Sequence, residues 1–134
     1  MYDREVGVPR LTASLPEDGP GHPILGAMTE VLSERYAWSL RRIGLALYRD
    51  GRDSVAPHGD KVGPLKDDCV IALVSVGAPR RFVLKPVRGG VPRVYQLGWG
   101  DLLVMGGTAQ RAWLHGVPKV QHAEPRISIQ CRPR

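Results

Sequence analysis

Long apolar runs are missing from this sequence of 134 residues. No stretch approaches the roughly 18 consecutive apolar residues that a membrane-spanning helix needs. The first ten residues, MYDREVGVPR, also lack the apolar segment of a secretory signal peptide. We therefore expect a cytoplasmic protein that makes no use of the membrane.

Cysteine is scarce, with Cys69 and Cys131 as the only two. Both lie in apolar-patterned stretches, and without a secretory signal a reduced, buried pair is favoured over a disulfide. The sequence has no internal repeat and no low-complexity segment. Its length suffices for one hydrophobic core and is too short for two, which predicts a single domain over residues 1–134.

Glycine and proline are abundant, at 16 and 12 residues, and follow no period. This composition disfavours long helices and favours short strands joined by tight turns. Apolar residues at helical spacing predict one helix from Pro23 to near Tyr36. Residues 43, 45 and 47 then alternate as in a strand. Further strands are predicted at 69–76, 81–86, 91–97, 102–105, 111–117 and 126–132.

This order predicts a mainly β fold, an antiparallel sandwich or jelly roll (double-stranded β-helix) with the helix buttressing one sheet. Residues 1–21 are rich in turn-forming residues and are expected to form a loop or a residual lid. Residues 22–134 would then form the helix and the jelly-roll core.

Positive charge is in excess, with 19 Lys and Arg against 13 Asp and Glu and a net charge of +6. Four of the 19 are Lys, so the other fifteen are Arg. Guanidinium groups pair bidentately with phosphate and carboxylate, so this excess suits a nucleic-acid backbone or an acidic small molecule. A merely soluble basic surface is the alternative explanation.

Three residues form a candidate metal site. His58 and Asp60 are two residues apart, so in an extended segment both side chains lie on one face. His115 lies in a predicted strand and could supply the third ligand. Two histidines and one carboxylate are the ligand set of non-haem Fe(II) oxygenases. The competing interpretation is that the histidines are hydrogen-bonded structural residues.

The predicted last strand has one polar and one apolar face. Arg126, Ser128, Gln130 and Arg132 alternate with apolar residues and cysteine, so they share a side. In a jelly roll this polar side could face the interior beside the metal, where two arginines and a hydroxyl suit a dicarboxylate. An ordinary half-buried strand with its arginines in water would show the same pattern.

At this point the sequence resembles the AlkB family of Fe(II)/2-oxoglutarate-dependent nucleic-acid dealkylases. The resemblance covers most of the chain, in the order and approximate spacing of the family. It is carried by PRLTA (9–13), LYRDGRDSV (47–55), HGD (58–60), GDLLVMGG (100–107), HGVPK (115–119) and EPRISIQCR (124–132).

The resemblance implies that His58, Asp60 and His115 hold the iron. It places Arg126 on the distal carboxylate and Arg132 on the 1-carboxylate of 2-oxoglutarate, with Tyr48 and Ser128 also on the cosubstrate. Arg10 and Met105 would lie on the substrate side, although a methionine at this position is more often plain core packing. The implied reaction consumes O2 and oxidises an N-alkyl carbon of a nucleobase, releasing aldehyde, succinate and CO2. Alkylated DNA is the implied partner, single-stranded by preference, with RNA as an alternative and the protein as a monomer.

Several positions depart from the family pattern. Ala46 stands where relatives place an asparagine that supports the cosubstrate, and Pro57 stands where an aromatic residue is frequent. Lys61 and Val62 follow Asp60 where base dealkylases have a further acidic residue. Only eight residues precede Pro9, so the part of the nucleotide-recognition lid that lies there in the family is expected to be reduced.

Two other functions stay open on the sequence alone. One is a 2-oxoglutarate oxygenase that acts on a protein or a small molecule, which the short lid and Val62 favour. The other is a non-catalytic jelly-roll module that binds nucleic acid through its charge.

Overall fold

The computed structural model describes residues 10–16, 21–59 and 69–133, and nothing is said below of the structure of the others. The strands in chain order are β1 (Leu11–Leu15), β2 (Arg42–Tyr48), β3 (Val55–His58), β4 (Ile71–Gly77), β5 (Arg80–Pro86), β6 (Arg93–Leu97), β7 (Leu102–Met105), β8 (Trp113–Val117) and β9 (Arg126–Arg132). The helices are α1 (Pro23–Tyr36) and α2 (Ala109–Ala112).

The strands form two antiparallel sheets. The larger has the order β1-β2-β9-β4-β7, and the smaller has the order β3-β8-β5-β6. Their facing sides share one core, in which Tyr48 and Leu73 of the larger sheet cluster with Phe82 and Val117 of the smaller. Burial of this apolar surface holds the two layers together. The predicted mainly β jelly roll is confirmed.

Helix α1 covers the outer side of the larger sheet. Leu25 packs with Ile43 and Ile129, and Leu32 packs with Ala72 and Cys131. The helix begins at Pro23, with the Nδ1 atom of His22 accepting a hydrogen bond from the amide of Ile24, and it ends before Ala37 in the left-handed conformation. The sequence predicted both ends of this helix and its buttressing role correctly.

The alternation along β9 sorts its side chains as the sequence predicted. Ile129 and Cys131 pack under α1, whereas Arg126, Ser128, Gln130 and Arg132 line a cavity on the opposite side of the sheet. The polar side chains of this strand therefore face the interior of the jelly roll.

Two local features differ from the sequence-based expectation. Residues Leu11–Leu15, expected to belong to a loop, form β1 and pair with β2 along its whole length. The strand expected from residue 111 begins at Trp113, because Ala109–Ala112 are helical. The segment Val55–His58 is extended, as the predicted metal site requires. The remaining residues of the expected loop, 1–9 and 17–20, lie outside the described part.

Two further expectations concern cysteine and membranes. Cys69 and Cys131 are not joined in a disulfide and are fully buried, as predicted. Burial raises the pKa of the Cys131 thiol to about 11, which keeps it protonated at neutral pH. Among the described residues, no helix has the length and apolar character to cross a membrane.

Candidate metal and cosubstrate site

Two histidines meet between β3 and β8. His58 and His115 are partners in the antiparallel register, and their ring centroids are 4.5 Å apart. Phe82 stacks on His115 from β5, with centroids 5.6 Å apart. The Nδ1 atom of His58 donates to the carbonyl of Ala56 at 2.8 Å. This bond leaves Nε2 with a free lone pair, as a metal ligand requires.

Gly116 allows the two histidine strands to approach this closely. A Cβ atom at this position would lie 2.9 Å from the backbone nitrogen of Pro57 and 2.9 Å from the carbonyl oxygen of Val55. A side chain on Gly116 would therefore push β3 away from β8. Glycine next to His115 sets the spacing of the histidine pair.

Arg126 supplies a buried positive charge opposite the histidines. Its side chain is 2 % exposed, and its Nε and Nη2 atoms donate to Ser75 Oγ at 3.1 and 2.6 Å. Its Nη1 atom is buried without a hydrogen-bond partner among the described residues. Burial lowers the pKa of Arg126 from its ordinary value. A buried N–H donor on a cation is a strong site for a carboxylate.

Tyr48 lies between two arginines of the cavity wall. Its ring centroid is 5.0 Å from the guanidinium carbon of Arg126, and its hydroxyl accepts a hydrogen bond of 3.0 Å from Nη1 of Arg10. Because the oxygen accepts from Arg10, the hydroxyl proton can be donated to a ligand in the cavity. Arg10, which the resemblance placed on the substrate side, thus contacts a predicted cosubstrate residue.

These residues line one cavity, which we call the histidine–arginine cavity. The space in it that a water-sized molecule can occupy is about 20 Å³. One part of the wall is apolar, and the other carries the polar side chains described above. The complete lining is Arg10, Tyr48, Val55, His58, Leu73, Phe82, His115, Val117, Arg126, Ser128, Gln130 and Arg132. The structure thus brings together every predicted metal and cosubstrate residue that it describes.

The donor set fits a metal and a dicarboxylate. Two neighbouring imidazoles offer nitrogen ligands on one wall, and the unpartnered Arg126 Nη1 offers a donor for a carboxylate. Within the described residues, no group of three His, Cys, Asp and Glu side chains could hold a metal. The third predicted ligand, Asp60, lies outside them, so its role stays a prediction.

Met105 is not part of this cavity. It is 4 % exposed, packs in the core between the sheets, and receives a contact of 3.9 Å to its sulfur from the side-chain nitrogen of Gln110. Core packing is the alternative that the sequence analysis names for this methionine, and a substrate-side role of Met105 stays a prediction.

Sequence reasoning missed two residues that shape the site. Ser75 holds Arg126, and the signal available for it was a polar residue at an inward position of a buried strand. Arg80 is 1 % exposed and donates to the carbonyl oxygens of Asp50, Asp53 and Pro118 at 3.1, 2.8 and 2.9 Å. It thereby ties the loop between Tyr48 and β3 to the end of β8.

The structure locates two of the residues that depart from the family pattern. Ala46 is buried, opposite Ser128 in the register of β2 and β9, and packs in the core between the sheets. Pro57 is exposed. Lys61 and Val62 lie outside the described residues.

Comparison with known proteins agrees with this geometry. Residues 21–132 match the model of the 2OG-Fe(II) oxygenase superfamily. The chain is 36 % identical over 121 residues to alpha-ketoglutarate-dependent dioxygenase alkB homolog 3 of Bos taurus, covering 83 % of this chain and 42 % of that protein. It is 30 % identical over 122 residues to DNA oxidative demethylase ALKBH2 of Mus musculus, covering 84 % and 51 %.

A solved structure, that of OsALKBH1, shows the same fold with a TM-score of 0.61. It is 17 % identical and covers 83 % of this chain and 60 % of that one. The chain spans about two fifths of the length of the alkB homolog 3 proteins that it matches. On the family match and these relatives, the chain belongs to the AlkB family of the 2OG-Fe(II) oxygenase superfamily, whose metal and cosubstrate, used with O2, are Fe(II) and 2-oxoglutarate.

Proposed function

We propose that this chain oxidatively removes N-alkyl groups from nucleobases of DNA or RNA. The observation that carries the proposal is the histidine–arginine cavity, where a close pair of imidazoles faces a buried guanidinium with an unpartnered N–H. The names of the relatives, a dioxygenase and a DNA oxidative demethylase, support the same reaction.

Seven of the residues that line the cavity have a role in this reaction. His58 and His115, with Asp60, would hold Fe(II), which together with 2-oxoglutarate supplies the oxidation of an alkyl carbon by O2. Arg126 and the hydroxyl of Tyr48 would bind one carboxylate of the cosubstrate, and Arg132 the other. Ser75 fixes the guanidinium plane of Arg126. Phe82 and Val117 exclude water beside the histidines.

The overall reaction on an N-methyl base balances without another reductant. One O2 is consumed, one oxygen atom enters succinate as 2-oxoglutarate loses CO2, and the other leaves in formaldehyde. The nitrogen of the base recovers a hydrogen. Because the histidines lie inside the jelly roll, the base must be single-stranded or flipped out of a duplex to reach them. We expect single strands to be preferred and the protein to act as a monomer in the cytoplasm.

The test compares succinate with formaldehyde. The purified chain is incubated with Fe(II), 2-oxoglutarate and a methylated single-stranded oligonucleotide, and both products are counted. We expect both products from the wild type and neither from His115→Ala. Arg81→Ala is the matched control for a lost side chain, since Arg81 is exposed and does not line the cavity. It should keep wild-type turnover.

The two alternative functions give different results. Succinate without formaldehyde, unaffected by the oligonucleotide, would point to an oxygenase for a protein or a small molecule. Absence of both products from a folded, iron-loaded chain would point to a non-catalytic module. Either result contradicts the proposal.

A further inference from the structure

The edge strands of the two sheets, β6 and β7, border a second pocket. We call it the edge pocket. Its walls include Arg93 and Tyr95 of β6 and Trp113 of β8, and its apolar part includes Leu84 of β5 and Leu103 of β7. The space in it that a water-sized molecule can occupy is about 300 Å³. Among the described residues, none lines both this pocket and the histidine–arginine cavity.

The edge pocket presents two aromatic rings and one cation. Tyr95 is 39 % exposed. The guanidinium carbon of Arg93 lies 5.8 Å from the ring centroid of Trp113, within the roughly 6 Å over which a cation is attracted to a ring. Within residues 10–16, 21–59 and 69–133, no hydrogen bond or ion pair engages the side chain of Arg93 or Tyr95, and no acidic side chain lines the pocket. Both side chains are therefore available to a ligand.

The edge pocket lies in line with the two histidines. Successive register partners across the smaller sheet are His58, His115, Leu84 and Arg93. Side chains of direct partners share a face, so Arg93 lies on the interior side of the sheet with the histidines. Neighbouring strands are about 4.8 Å apart, which places Arg93 roughly 10 Å from His115. A nucleic-acid strand whose target base reaches the histidines therefore brings its next nucleotide close to the edge pocket.

We propose that the edge pocket binds the base of the nucleotide next to the alkylated one. This inference rests on the proposed function and assigns a second nucleotide subsite to it. The base stacks on Tyr95 and against the apolar part of the pocket, which removes exposed aromatic surface from water. The guanidinium of Arg93, held against Trp113, donates its N–H groups to the phosphate that joins the two nucleotides. Stacking accepts any base, so the subsite adds affinity without sequence preference.

The experiment measures binding of a single strand rather than turnover. Anisotropy of a fluorescent oligonucleotide with one methylated base is titrated with wild type, Tyr95→Ala, Tyr95→Phe and Trp99→Ala. We expect Tyr95→Ala to bind about tenfold more weakly, because a stacking ring is lost. Tyr95→Phe keeps the ring and should bind as the wild type does. Trp99→Ala is the matched control and should also bind normally, since Trp99 is 78 % exposed and does not line the pocket.

A second titration tests which part of the oligonucleotide occupies the pocket. The two nucleotides that flank the methylated base are replaced in turn by abasic residues. For the wild type, one of these replacements should weaken binding about tenfold. For Tyr95→Ala the same replacement should cause little further loss, because the ring and the base that contact each other are then both absent.

A salt series tests the phosphate contact. In Arg93→Gln the slope of log K against log salt should become shallower by about 0.7. Arg81→Gln is the matched control, since Arg81 is exposed and does not line the pocket. It should leave the slope unchanged.

Other outcomes overturn the inference. Equal losses in Tyr95→Ala and Trp99→Ala, or in Tyr95→Ala and Tyr95→Phe, would show that stacking in the edge pocket is not the cause. Additive losses from Tyr95→Ala and the abasic residue would place the flanking base elsewhere. Dealkylation alongside either result would leave the proposed function standing, whereas binding that depends on the pocket without dealkylation would contradict the proposed function alone.

Discussion

Two buried arginines, Arg80 and Arg126, have opposite roles in this protein. Burial lowers the pKa of both groups, and each keeps one buried nitrogen without a partner among the described residues. The guanidinium of Arg80 is otherwise occupied by three backbone carbonyls and does not line the cavity. That of Arg126 lines the cavity, and its hydrogen bonds within the described residues go to Ser75. Arg80 is therefore a structural residue, whereas Arg126 is positioned for a ligand.

Removal of Arg126 should weaken cosubstrate binding. In Arg126→Ala a carboxylate loses a buried charge-assisted partner, which costs about 1.5 to 3 kcal/mol of binding free energy. Isothermal titration of 2-oxoglutarate in the presence of Mn(II) measures this loss. Unchanged affinity in a folded Arg126→Ala variant would show that the cosubstrate lies elsewhere.

Removal of Arg80 should instead reduce stability. Arg80→Met keeps much of the apolar stem but leaves three carbonyl groups without their donor, at a cost of about 3 kcal/mol in the free energy of unfolding. Urea denaturation followed by circular dichroism measures it. A variant as stable as the wild type would contradict this role, because water would then satisfy the three carbonyl groups as well as the guanidinium does.

Asp53 makes the free energy of unfolding depend on pH. Its carboxylate accepts hydrogen bonds from the backbone and the side chain of Arg49, and the side-chain bond is the main cause that lowers its pKa below 3.8. This contribution to stability is complete above the pKa of the unfolded state and is lost as the pH falls through the lowered value. Asp53→Asn should therefore be less stable at neutral pH and lose less stability between about pH 5 and pH 2. Parallel acid slopes for both proteins would contradict this assignment.

At the scale of elements, the site depends on how closely β3 approaches β8. Gly116→Ala places a methyl group against the backbone of β3 and should separate His58 from His115. We expect metal affinity to fall about 10- to 100-fold, as for other changes that misalign ligands, measured by Mn(II) titration. Gly106→Ala is the matched control, since the nearest atom to a Cβ there is a side-chain carbon of Val70 at 3.7 Å. Equal metal affinities in the two variants would contradict this account.

The individual helices and strands also show which parts of the fold can be predicted from the sequence. Helix α1 was predictable because the residues that it packs on the sheet recur at helical spacing. Strand β9 was predictable because its polar and apolar residues alternate strictly, although both of its faces are covered. Strand β1 is almost wholly exposed, and its five-residue alternation, LTASL, lies in a segment rich in turn-forming residues, which favours a loop. Strand β3 has four residues and includes Pro57. The role of Arg80 depends on carbonyl groups distant in sequence, which no local pattern reveals.

At the scale of the whole molecule, the charge of +6 is carried mostly by arginine. We expect single strands to bind mainly through phosphate contacts, so that affinity falls on the order of tenfold between about 50 and 200 mM salt. We also expect slow dealkylation, with part of the 2-oxoglutarate consumed without substrate oxidation. The ratio of succinate to formaldehyde across a salt series measures this uncoupling. Salt-insensitive, lesion-selective binding with a ratio near one would contradict this expectation.

The most direct test of the account is whether metal and cosubstrate bind together in the histidine–arginine cavity. Titration of 2-oxoglutarate is compared with and without Mn(II), in wild type and in His115→Ala. The account predicts tight binding by the wild type only when Mn(II) is present, and no effect of Mn(II) in His115→Ala. Equal 2-oxoglutarate affinity with and without Mn(II) in the wild type would contradict it.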